Sequence, residues 1–391
     1  MARILIFTGK GGVGKTSVAA AHARLSAQEG KRTLLVSTDM AHNLGDLFQM
    51  PIGHTVVTVA DRLDALEIDP IRTMANDFPD MRRAMENLLG SLGMPEENAW
   101  DLNAFPGMDE LFSLLKLLEL HESGVYERII VDCAPTGETL ALLKFPELLS
   151  WYMEKFFPVG KVAMRVLSPI SRTVFKVQLP DKHAMTDIER MYLRLSQLQQ
   201  LLKDRATTSI RLVAMPEKMV VEETKRSYMY MNLYDYQVDG LYINRILPAD
   251  MDNPFFSEWL GIQQRYLDEL EAVFSGMPIH RIPWFDSDLN GLAGIDRLVD
   301  ATLAGKDVFS ITEAVHGERY EQTENGWRMS LFLPGAVRDA VVLHETGTDL
   351  VVRIGNFKRS IPLPGALRHH RAVRARFEDT QLRIDLEKVP G

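Results

Sequence analysis

The sequence predicts an α/β fold, a doubly wound parallel sheet with helical insertions followed by an all-β sandwich. Three observations carry this prediction. The chain opens with an apolar run at 3–8, a glycine-rich turn, and a helix with Ala19, Ala20, Ala23 and Leu25 on its apolar face. That order begins a parallel βα layer. Short apolar runs then recur between helical stretches, and after Glu318 the pattern changes to short alternating segments bounded by turns.

Taken in order, further strands are expected at 32–37, 63–68, 128–132, 210–215, 240–244 and 279–283. Helices between them make a sheet wound on both faces. Two long segments, about 71–124 and 147–207, have helical periodicity and are expected to form a helical subdomain within a first domain of 1–310. Met81, Met85, Leu88, Leu89 and Leu92 fall at i, i+4, i+7, i+8 and i+11, and Leu111, Leu114, Leu115 and Leu118 repeat the stripe. The second segment carries Trp151, Tyr152, Phe156, Phe157, Val162, Met164 and Leu167, broken by Pro158 and Pro169, with a more regular helix at about 187–202. In the second domain, 318–391, strands are expected at 327–333, 340–345, 349–354, 359–363, 372–378 and 381–386. Turns at Pro334-Gly335, Gly347, Gly355-Asn356 and Pro364-Gly365 separate them.

Composition bounds the function. The chain has 391 residues, 46% hydrophobic and 25% charged, enough for one large core and an appended domain. A net charge of −9 provides no basic field for nucleic acid or anionic lipid. The single cysteine, Cys133, excludes an intramolecular disulfide and any multi-cysteine metal site within one chain. The apolar run at 4–7 ends too soon for a signal sequence, and no stretch of 18 apolar residues occurs. A cytoplasmic protein is therefore expected.

The chemistry is concentrated in the run Gly9-Lys10-Gly11-Gly12-Val13-Gly14-Lys15-Thr16-Ser17. Strand, GxxxxGK[ST] loop and helix are the parts of a P-loop NTPase. Its glycines let backbone N–H groups wrap phosphates, the helix N-terminus adds positive potential, Lys15 neutralises β/γ oxygens and the Thr16 hydroxyl ligates Mg²⁺. ATP and Mg²⁺ are thus the expected ligands. Asp39, after the second strand, stands at the sheet edge where such folds bind ligands, and Asp132, at the end of 128–132, suits the carboxylate that holds Mg²⁺.

With these residues in place, the sequence resembles the ATPase family that includes the arsenite-pump ATPase and the tail-anchored-protein targeting factor. The resemblance covers about 1–305, through TGKGGVGKTS at 8–17, STDMAHNLGDLF at 37–48, DCAPTGETLALLKFP at 132–146, PEKMVVEETKR at 216–226 and NRILP at 244–248. It implies a nucleotide-clamped homodimer in which Lys10, the second lysine of a deviant Walker A loop, crosses to the partner's ATP. Further implied roles are an attacking water oriented by Asp39, a switch carboxylate at Asp132, and adenine contacts from Asn244, Pro283 and Trp284. Met40 stands where the family has proline and Glu138 where well-known members have histidine. The region from about Trp327 resembles the α-crystallin (small heat-shock) sandwich found in some bacterial and plastid members, through Leu333-Pro334-Gly335, 349–352 and 361–364. A domain that only buttresses the dimer fits those strands equally well.

Nineteen methionines, nine of them between Met74 and Met191, fit a surface that accepts varied apolar helices, although a stripe at helical spacing is also that of plain core. The resemblance implies a client groove there that forms when ATP closes the dimer, with hydrophobic helical clients and a transient contact with a membrane receptor. The reading is therefore an ATP-hydrolysing binding, targeting or chaperone factor for transmembrane-helix clients. The alternative is the ATPase subunit of an arsenite-type anion pump, which loses support with only Cys133 as a thiol. A DNA-partitioning role lacks a basic face, and a nitrogenase-reductase role lacks a second cysteine.

Overall fold

A computed structural model describes residues 2–39, 43–77, 79, 108–133, 182–251, 254–312, 318–346 and 349–388. The stripes at 81–92 and 151–167, Met40, Glu138 and most of the 132–146 motif lie outside the described residues.

Eight strands form the main sheet: β1 (Arg3–Thr8), β2 (Thr33–Ser37), β3 (Val57–Ala60), β4 (Leu63–Glu67), β5 (Arg128–Asp132), β6 (Thr208–Ala214), β7 (Val238–Ile246) and β8 (Ile279–Pro283). Their order is β3-β4-β2-β5-β1-β6-β7-β8, and all pairs are parallel except β3 with β4. The inner strands are buried along nearly their whole length, which is why they read as unbroken apolar runs. The edge strand β3 was not expected: its four residues, Val-Thr-Val-Ala, are half-buried or exposed and too few to show a period.

Helices α1 (Lys15–Gln28), α2 (Asn43–Phe48), α3 (Pro70–Asp77), α4 (Met108–Glu122), α5 (Lys182–Lys203), α6 (Lys218–Leu233), α7 (Pro254–Val273) and α8 (Gly291–Thr302) accompany the sheet. Helix α1 packs on β1, β2 and β5 and is clamped to α8 by a bidentate pair, Arg24 to Asp296 at 2.7 and 3.1 Å. Helix α4 corrects one expectation. Leu114, Leu115 and Leu118, read as part of a groove stripe, are buried together with Phe112 and Leu117. The helix lies between α3 and α5, so apolar residues on more than one face are covered and this stretch is core. None of the described helices is long and apolar enough to cross a membrane.

The C-terminal region forms two antiparallel sheets. One has the order β14-β15-β10-β9 (β9 Arg319–Thr323, β10 Gly326–Phe332, β14 His370–Glu378, β15 Gln381–Lys388); the other is β11-β12-β13 (β11 Val341–Thr346, β12 Asp349–Ile354, β13 Phe357–Pro362). Met329, Leu331, Val352, Ile361, Ile384 and Leu386 fill the space between them, from alternate positions along their strands. Strand β9, Arg-Tyr-Glu-Gln-Thr, has no apolar alternation and was missed; its place comes from pairing with β10.

The described residues after α8 pack back on the sheet domain. Val308 and Phe309 are buried after α8, and the Arg128 guanidinium lies 3.7 Å over the Phe309 ring. The sandwich rests on the C-terminal half of α6. Tyr230 stacks on Phe357 at 3.5 Å, the Tyr234 hydroxyl donates to the Lys358 carbonyl at 3.0 Å, and Arg359 donates to the Leu233 carbonyl and to Glu318. A guanidinium at the end of α6 satisfies a terminal carbonyl and complements the helix dipole.

Candidate functional site

Strand β1 lies at the switch point of the sheet, with β5 and β2 to one side and β6, β7 and β8 to the other. Ligands of open α/β sheets bind beyond the carboxyl ends of strands at such a point. The loop from Gly9 to Gly14 emerges there. Gly9 is buried so closely that a Cβ would lie 2.2 Å from the Val213 carbonyl oxygen. Gly14 has φ +91°, and a Cβ there would lie 2.4 Å from Asn244 Nδ2. These two positions need glycine for reasons of space and backbone. Gly11 and Gly12 are exposed at the tip, and Val13 anchors the loop in the core.

Lys15 is buried, with Nζ 3.5 Å from the Lys10 carbonyl. Lys10 is half-buried at the rim, its Nζ 4.0 Å from Glu223 of α6. The Thr16 hydroxyl donates to Asp132 Oδ2 at 2.7 Å, and Ser17 follows in the first turn of α1. Asp39, just beyond β2, is half-buried, and its backbone N–H is held by the Ser37 hydroxyl at 3.2 Å.

Asp132 is fully buried, and among the described residues its Oδ1 has no hydrogen-bond partner. Burial pushes its carboxyl up to about 7, opposed by the Thr16 hydrogen bond and the Lys15 charge, while Asp39 pushes it further up. An orphaned carboxylate oxygen beside a threonine hydroxyl is a hard oxygen donor set, which fits Mg²⁺ rather than a soft metal. The same orphan predicts a trade of stability for function. With the folded carboxyl raised above its unfolded value of roughly 3.8, the folded state holds the extra proton, so stability falls as pH rises toward 7 and stays low above it. Asp132→Asn keeps an acceptor for Thr16 and is expected to raise the nucleotide-free unfolding midpoint clearly at pH 8 and less at pH 5. Denaturant titrations at both pH values check this, and an equal or negative effect at pH 8 contradicts it.

The residues expected at adenine lie on the other side of the switch point. Asn244, near the end of β7, donates from Nδ2 to the Val13 carbonyl at 2.8 Å and accepts the Arg245 N–H at 2.8 Å. Pro283 ends β8, and the Trp284 N–H bonds the Ile246 carbonyl at 2.8 Å while its indole is 55% exposed. Three strand steps separate β1 from β8, about 14 Å at roughly 4.8 Å per step, so Pro283 and Trp284 stand away from the loop. Asn244 alone of the three touches the P-loop.

Cys133 directly follows Asp132, is buried, and receives a 3.6 Å contact from the Thr38 hydroxyl. Among the described residues, no cluster of His, Cys, Asp and Glu could hold a metal through three or more such ligands. Two acids were not singled out from sequence. Glu223 faces Lys10, and Glu67, at the end of β4, is buried with its Oε1 accepting the Leu44 and Gly45 N–H groups at 3.0 and 3.3 Å. The available signal for Glu67 was an acid closing the strand directly after Ala65 and Leu66.

Comparison with known proteins agrees with the sheet and loop. Residues 2–303 match a family described as anion-transporting ATPase, and residues 324–386 match an HSP20-like domain found in ArsA. A putative arsenical pump-driving ATPase of Chlorobaculum tepidum is 34% identical, over 99% of this chain and 96% of its own. One of the same description from Aquifex aeolicus is 31% identical, over 98% and 99%. The ATPase get3 of Pyrenophora tritici-repentis is 29% identical, over 75% of this chain and 89% of its own. The chain therefore belongs to the anion-transporting (ArsA/Get3-type) ATPase family and carries the HSP20-like domain that accompanies some of its members.

Proposed function

We propose that this ATPase works as a Mg²⁺-dependent, nucleotide-clamped homodimer that captures hydrophobic helical proteins, with a transient membrane-receptor contact, in the cytoplasm and without nucleic acid. The carrying observation is Cys133. One cysteine in 391 residues, 1% exposed, offers no cluster of soft thiolates for a metalloid within one chain. The hydrolytic cycle then serves something other than metalloid binding, and the sequence resemblance to the family that includes the tail-anchored-protein targeting factor supports protein targeting.

In this reading the P-loop from Gly9 to Ser17 holds the phosphates, Lys15 neutralises them, and Lys10 leaves Glu223 to reach the partner's nucleotide. Asp39 orients the attacking water. Thr16 and Asp132 hold Mg²⁺, which supplies charge neutralisation between the β- and γ-phosphate oxygens when bound. Asn244, Pro283 and Trp284 flank adenine. Support for a partner copy comes from the rim itself, where Met219 is 64% exposed at the start of α6, the helix that also carries Glu223.

Client capture is tested with a photo-reactive transmembrane peptide. Crosslinking is expected with a non-hydrolysable ATP analogue and to be lost without nucleotide, with Cys133→Ser unchanged. Charged substitutions belong at exposed positions such as Leu193 of α5, 61% exposed, since charging Leu115 would disrupt core. Absence of nucleotide-dependent capture refutes the client reading. The pump reading is favoured by the names of the relatives that cover the whole chain, and it predicts hydrolysis stimulated by arsenite or antimonite. No stimulation is expected.

A further inference from the structure

Asp39 can orient water only if the chain behind it is held, and the buried carboxylate of Glu67 makes that hold. Strand pairing places Glu67 of β4 beside Ser37 of β2, and Ser37 beside Asp132 of β5. One row across three adjacent strands thus carries Glu67, the residue whose hydroxyl fixes the Asp39 N–H, and the carboxylate bonded to Thr16.

Glu67 Oε1 accepts the backbone N–H groups of Leu44 and Gly45, which open α2. Only three residues separate Asp39 from Asn43, the first residue of that helix. Leu44 is itself fully buried, and the Glu67 N–H is fixed by the Gly53 carbonyl at 2.9 Å. Asp39 is thus held to β2 by the Ser37 hydroxyl, and the start of α2, a few residues further along the chain, is held to β4 by Glu67. An acid 3% exposed inside the sheet edge would be expensive to keep if it only filled space, since an apolar residue would serve as well.

We propose that Glu67 is a positioning residue for ATP hydrolysis, anchoring the Asp39 segment so that its carboxylate meets the attacking water. The inference rests on the assignment of Asp39 given above. The hydrogen bonds of Glu67 to Leu44, Gly45 and Gly53 lie outside the P-loop, so the loss of this anchor should act on turnover rather than on nucleotide affinity.

The experiment measures kcat, ATP dissociation constant and thermal midpoint for wild type and for Glu67→Ala, Glu67→Gln, Glu67→Asp and Asp39→Asn. Glu67→Ala should lose about 10-fold or more in kcat with affinity changed by no more than about 3-fold, because an interaction outside the phosphate cradle is removed. Glu67→Gln keeps an acceptor oxygen at the same reach and should stay within about 3-fold of wild type. Glu67→Asp is one methylene too short and should resemble alanine; it decides the matter if the alanine variant does not fold. A folded Glu67→Ala or Glu67→Asp with wild-type kcat overturns the proposal, as does affinity falling in step with kcat. If Asp39→Asn turns over at the wild-type rate, the Asp39 assignment fails first. If Asp39→Asn is slow while the Glu67 variants are normal, only the Glu67 proposal fails.

Discussion

Asp39→Asn is expected to lower the rate of ATP hydrolysis by about 100-fold or more while ATP still binds. The amide is nearly isosteric with the carboxylate, so the Ser37 hydrogen bond to the Asp39 N–H and the half-buried position survive. In the role proposed for Asp39, what is lost is the negative charge that aligns the attacking water. The phosphate cradle, from Gly9 to Thr16, is built by other residues and should hold nucleotide as before. The change also removes a charge that raises the Asp132 carboxyl, which should ease ionisation of that group. Single-turnover hydrolysis and equilibrium nucleotide titration together check this, and a wild-type rate with intact binding refutes the role.

Replacing Arg211 by Met is expected to destabilise the sheet domain by about 2–3 kcal/mol, because it strips one of two cations from a buried carboxylate and a donor from the Tyr242 hydroxyl. Arg211 lies within β6, 3% exposed, and its Nε donates to Asp239 Oδ1 at 3.2 Å; Asp239 of β7 is 2% exposed. Arg3 supplies a second cation to Asp239 Oδ2 at 3.2 Å. The other arm of Arg211 donates to the Tyr242 hydroxyl at 3.1 Å, which pairs with His22 Nε2 at 2.8 Å, so the loss spreads along a buried polar chain. Denaturant unfolding monitored in the sheet domain reads the effect. A second replacement, Asp239→Asn, should deepen the loss rather than relieve it, because Asp239 still neutralises the Arg3 guanidinium. A single variant within about 1 kcal/mol of wild type would show that the pair is not a structural requirement.

Much of the site was legible before any fold was known. Gly9 to Thr16 combine residue type, spacing and flanking strand and helix, and each constraint is local in the chain. Strands β1 and β5 fall where their apolar runs predict them, because a strand covered on both faces leaves a composition that needs no partner to be read. Asp39 and Asp132 were singled out as candidates because each follows such a run. Edge strands β3 and β9 were not, since half-exposed strands hold their place through ladder hydrogen bonds that any sequence can make.

What the sequence by itself determined is therefore the class of sheet, the phosphate loop and the carboxylates that stand beside it, all set by short-range spacing. Tertiary structure alone decided which acids and apolar stripes do what. Glu67 reaches Leu44 and Gly45 because β4 is adjacent to β2 in the sheet, a pairing between segments not joined directly in sequence. Leu114, Leu115 and Leu118 show the same amphipathic spacing whether they line a groove or a core, and their burial follows from α3 and α5 closing over α4. Arg359 ends up at the terminus of α6 because the sandwich folds back on it, across 126 residues of chain. Periodicity records which residues avoid water, and only the packing of distant segments decides what covers them.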